Sequence, residues 1–160
     1  MAEEVILFGL DLESAQELGD LIRSAGYEAD EPRHERMGNP QWGQHEWDSF
    51  AVYGEVAKEG SVWDAATSVI VTWSEDLALA EPLSLRPPGI KPPIVIIRYR
   101  EQTRQLLTGV LAQVAPHAAL VDNLFGIVLP GPEFVEKLRD PALDWYRQVG
   151  VETQEDADRP

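Results

Sequence analysis

Cysteine is absent from this 160-residue chain, and with it go disulfides, thiolate nucleophiles and cysteine-ligated zinc. That composition fits a reducing compartment. Histidine is scarce, with only His34, His45 and His117. No apolar run approaches the ~20 residues that cross a bilayer; the longest are "VILFGL" and "PPIVIIRY". The opening "MAEEV" is acidic, where a secretory signal starts with basic residues. A soluble, cytoplasmic protein is expected. Bases are few as well: 13 Lys and Arg stand against 28 Asp and Glu, for a net charge of −15. Such a surface repels phosphate backbones and anionic lipid, which argues against direct nucleic-acid or membrane binding.

The acids are unevenly placed. Residues 1–85 hold 18 acids and 4 bases, a net of −14, whereas residues 86–160 hold 10 acids and 9 bases, a net of −1. Acidity of this kind serves solubility, and concentrated on one side it also speeds encounter with a basic partner. The length fits one domain, expected over residues 1–150, followed by a disordered acidic tail at 151–160.

Periodicity outlines the elements. "EEVILFG" reads as a buried strand, and "DLESAQELGDLIRSAG" as a helix with Leu12, Ala15, Leu18, Ile22 and Ala25 on one face. Ser14 and Glu17 form a capping-box pattern, and Gly26 suits a left-handed stop. "YEAD" resumes an extended run, so this strand–helix–strand stretch predicts a parallel βαβ unit. Residues 32–49 show no hydrophobic period and are expected to form a long loop or insertion. "SFAVYGEVA", "TSVIVTW" and "PIVIIRYR" read as strands, the last central because it is apolar on both faces. "EQTRQLLTGVLAQVA" is an amphipathic helix stopped by Pro116, "AALVDNLFGIVLPG" a hairpin around "DNLFG", and "PEFVEKLRD" a short helix. The expected fold class is therefore α/β: a single-domain sandwich with a mixed β-sheet, an N-terminal βαβ unit, and a C-terminal β-hairpin plus helices.

The densest chemistry falls in that apparent loop. Residues 38–50, "GNPQWGQHEWDSF", follow "PRHER". His34, Glu35, His45, Glu46 and Asp48 supply nitrogen and oxygen ligands of the kind zinc or manganese accepts, but their spacing matches no defined motif and H-E-x-x-H is missing. Neither G-x-G-x-x-G nor a P-loop is present, and no G-x-S-x-G elbow surrounds a serine. No cofactor is expected. Trp42 and Trp47 stand in a polar, glycine-rich setting, and tryptophan there suits an interface hot spot. Trp73 ends an apolar strand and belongs to the core. The expected partner-binding residues are Glu35, Trp42, His45, Glu46, Trp47 and Asp48.

Three resemblances bear on these residues. The first thirty resemble a phospho-receiver domain, but the third strand, "VIVTW", offers Thr72 and Trp73 where such a domain carries its acceptor aspartate. "AATSVIVTWSEDLALAEPL" is similar to the run in TIR domains that leads from a strand to a helix bearing an acid, which makes Glu81 a candidate for nucleotide hydrolysis. In size, acidity and lack of catalytic motifs, together with "LVDNLFGIVLPGPEFVEKLRDPALDWY", the chain resembles the immunity proteins with which bacteria neutralise polymorphic toxins. That resemblance implies a non-enzymatic inhibitor whose partner is a cognate toxin with a basic surface. The alternatives are a TIR-like or metal-dependent nucleotide-processing enzyme and a regulatory scaffold domain.

Overall fold

A computed structural model describes residues 3–39, 43–54, 68–76, 90–124 and 126–140. Among them, eight strands form one sheet and three α-helices pack on one of its faces. The elements run β1 (Glu3–Phe8), α1 (Ala15–Ser24), β2 (Glu28–Ala29), β3 (Arg33–Asn39), β4 (Gly43–Tyr53), β5 (Ser68–Ser74), β6 (Ile94–Tyr99), α2 (Arg104–Val114), β7 (Leu120–Asp122), β8 (Val128–Leu129) and α3 (Gly131–Leu138). The strand order is β2-β4-β5-β6-β1-β7-β8, with β3 also on β4.

The α/β class is as the sequence predicts, but every ladder is antiparallel. The expected mixed sheet is thereby corrected. β1 and β2 do run in the same direction, yet β4, β5 and β6 lie between them, so their connection through α1 bonds neither strand to the other. The cause lies in tertiary pairing. β1 bonds to β6 along all six of its residues, and β7 takes its other edge.

Local signals behave as read. Ser14 caps α1 by accepting from the Glu17 amide at 3.1 Å, while the Glu17 carboxylate reaches back to the Glu13 amide at 3.1 Å. Gly26 takes φ +101°, a conformation that favours glycine, directly after the helix. α2 ends at Val114, and a 3₁₀ turn, Ala115–His117, carries Pro116. β7 and β8 form the C-terminal hairpin. The side chains of α1, α2 and α3 meet Val5, Leu7, Phe50, Val71, Trp73, Val95 and Ile97 in one core cluster. On the other face, Ile6, Phe8, Ile94 and Ile96 form a second cluster. β6 is thus buried on both faces, as its continuous apolar run predicts. No helix among the described residues is long and apolar enough to cross a membrane.

Candidate functional site

The described residues 33–39 and 43–49 are strand, which corrects the expectation of a loop over 32–49 from its missing hydrophobic period. Arg33–Asn39 and Gly43–Ser49 pair residue for residue as an antiparallel hairpin. β2 and β3 follow the same edge of β4 with a bulge between them. Glu28 and Ala29 pair with Tyr53 and Val52, whereas Arg33 pairs with Ser49, so three residues (30–32) oppose two (50–51). Pro32 sits in that bulge, where its missing N–H costs no ladder bond.

β5 pairs with β4 only from Asp48 to Tyr53. Residues 43–47 of β4 and their partners on β3 therefore continue past the end of β5 as a two-stranded arm. Among the described residues, no neighbouring strand pairs with the arm on its β5 side. Instead, the Ser74 hydroxyl donates to the Glu46 carbonyl at 2.6 Å and accepts from the Asp76 amide at 3.0 Å. The His45 Nδ1 pairs with Asp76. These contacts tie the arm to the chain leaving β5.

Opposed residues on the hairpin point to the same face. One face carries His34 opposite Asp48 and Arg36 opposite Glu46. The other carries Glu35 opposite Trp47 and Met37 opposite His45. The Trp47 indole N–H donates to Glu35 at 2.9 Å, and Met37 is 59% exposed. His34 and His45 thus lie on opposite faces, which removes them as a pair of ligands for one ion. Among the described residues, no three His, Asp or Glu side chains are grouped as a metal site would require.

Between the arm and the end of β5 lies a cleft of about 620 Å³. His34, Glu46, Trp47 and Asp48 line it from the arm, and Trp73, Ser74, Glu75 and Asp76 from β5 and its continuation. Its described lining residues include four acids, Glu46, Asp48, Glu75 and Asp76, and no lysine or arginine. His34 donates from Nδ1 to Asp48 at 2.8 Å and holds Nε2 3.7 Å from Glu46. The hydrogen bond to Asp48 does most to raise the His34 pKa above the ordinary 6.5. Slight desolvation opposes it, and the negative charges of Asp48 and Glu46 add to it. Because the folded value is the higher one, the stabilisation from this pair is complete below about pH 6.5 and is lost as pH rises through the raised value. In Asp48→Asn the His34 midpoint, followed by NMR of the imidazole C–H, is expected to fall toward 6.5; an unmoved midpoint would exclude Asp48 as the cause.

The structure therefore brings Glu46 and Asp48 together at the cleft, which Trp47 borders from the arm's opposite face. It places Glu35 and His45 on the arm's other face as braces, through Trp47 and Asp76. Trp42, Trp63 and Glu81 lie outside the described residues. Sequence reading missed Glu75 and Asp76, which join the site only because β5 ends beside the arm. "SED" after an apolar strand was the available signal, but it reads equally as a helix start. No protein-family model, curated protein or solved structure matches this chain.

Proposed function

We propose that the chain is a non-enzymatic acidic binding protein that neutralises a cognate toxin by occluding its active site, as an immunity protein does in the cytoplasm of a bacterium. The observation that carries this reading is the cleft behind the arm. Four acids border one opening with no lysine or arginine among its described lining residues, an arrangement complementary to a basic surface. Enzymes that act on nucleic acids or nucleotides present such surfaces in their own clefts, and an acidic inhibitor can occupy them by imitating substrate charge. Trp47 adds contact area at small rotamer cost. The concentration of acids in residues 1–85 supports the reading through steering of the encounter.

The reading requires a toxin domain encoded beside this protein's gene, and the test measures binding of that domain. Glu46→Lys with Asp48→Lys and Trp47→Ala is expected to weaken its binding by about a hundredfold or more, because central charged and aromatic contacts dominate interface energies. Unchanged affinity in calorimetry would remove the arm and cleft from the interface.

A further inference from the structure

Among the cleft's described lining residues are four acids and one ionisable base, His34, which bonds Asp48 and lies near Glu46, while Asp76 pairs with His45. We infer that His34 gates the cleft by pH: a cationic side chain of the partner is admitted when the imidazole is neutral and opposed when it is protonated. This rests on the reading of the cleft as a surface for a basic partner, and it adds a regulation of that surface.

The geometry makes the two events compete. A protonated His34 satisfies Asp48 at 2.8 Å and sits within ion-pair distance of Glu46, at 3.7 Å. An incoming guanidinium then meets a like charge beside the same carboxylates. Asp48 and Glu46 from β4 act on His34 directly; Arg36 lies two residues along β3 on the same face, Glu75 and Asp76 line the cleft from the chain after β5, and His45, on β4's other face, pairs with Asp76. On loss of the proton, Nδ1–H still donates to Asp48, but no positive charge offsets the carboxylates. Histidine makes this change in the physiological range, and the raised pKa of His34 extends the protonated form toward neutral pH. Linkage then requires the reciprocal effect: a bound cation must lower the His34 pKa. Since His34 is 56% exposed, solvent screening keeps the effect modest, at about threefold to fivefold in affinity.

The test takes the full chain and a hexa-arginine peptide, whose charge does not change over the pH range used. Binding is measured at pH values about one to two units either side of the ordinary histidine value, and the His34 imidazole is titrated by NMR with and without peptide. Weaker binding at the acid end by about threefold or more, a His34 midpoint lowered by peptide, and loss of the pH dependence in His34→Gln are the expected results. Should His34→Gln fail to give a dispersed NMR spectrum, the midpoint shift in the unmodified chain decides alone. Equal affinity at both pH values, a midpoint unmoved or raised by peptide, or the same pH ratio in folded His34→Gln overturns the gate and leaves the cation-binding reading standing. Absence of binding at either pH, or binding unaffected by Glu46→Gln with Asp48→Asn, overturns that reading and the gate with it.

Discussion

Replacing Gly131 with alanine is expected to destabilise the fold by about 3 kcal/mol, at the upper end of overpacking effects. A Cβ at position 131 would overlap the carbonyl oxygens of Ala115 and Ala118. Both belong to backbone that cannot swing aside as a flexible side chain can. The overlap arises because α3 begins flush against the 3₁₀ turn that ends α2, with the Gly131 amide donating to Ala118 at 3.2 Å. Phe134 and Val135, buried one turn later, depend on that close approach for their place in the core. Gly54→Ala is the matched control, since a Cβ there meets nothing within 4 Å. Urea denaturation of the two variants decides the matter. If Gly131→Ala shifts the midpoint no more than Gly54→Ala does, the close packing of α3 on the turn is wrong.

The second large effect separates the two tryptophans of the cleft. Trp73→Ala is expected to cost about 3–5 kcal/mol, the range for deleting a large core aromatic. Trp73 is 4% exposed, lies opposite Asp48 on one side and Val95 on the other, and packs in the main core cluster. Trp47 is half-buried on the arm, where its indole N–H bonds Glu35. Its removal is expected to cost about 1 kcal/mol of stability, the net of one hydrogen bond and modest burial. The two variants therefore split folding from binding. Trp73→Ala should fail first in thermal unfolding, while Trp47→Ala should stay folded and lose partner affinity. Comparable stability losses from both would contradict the assignment of Trp73 to the core and Trp47 to the arm.

How much was legible in the sequence depends on what each segment packs against. "PIVIIRYR" declared a central strand because both faces of β6 are buried and every position must be apolar or nearly so. α1 and α2 declared themselves through one buried face each, α1 with its Ser14 cap in place and α2 with Pro116 just past its end. The arm gave no such signal because the register that orders it is polar. His34 faces Asp48, Arg36 faces Glu46, and Glu35 faces Trp47. Cross-strand pairs of this kind stabilise a hairpin without alternating hydrophobicity. The available clue was turn chemistry: "GNPQWG" between two runs that match position for position. Read for hydrophobic period alone, the segment has to look like a loop.

By itself the sequence determined the α/β class, the capped α1, the buried β6, the C-terminal hairpin and the strong net acidity. These follow from local propensity, from burial that repeats along one element, or from a sum over the chain. Strand neighbours and the membership of the site were decided only in three dimensions. β1 bonds to β6 and β7, β2 bonds to β4, and the end of β5 carries Glu75 and Asp76 to the arm. No local rule encodes such pairings, because each joins residues far apart in the chain. The same distance in sequence separates His45 from Asp76, whose contact helps to hold the arm where the cleft can form.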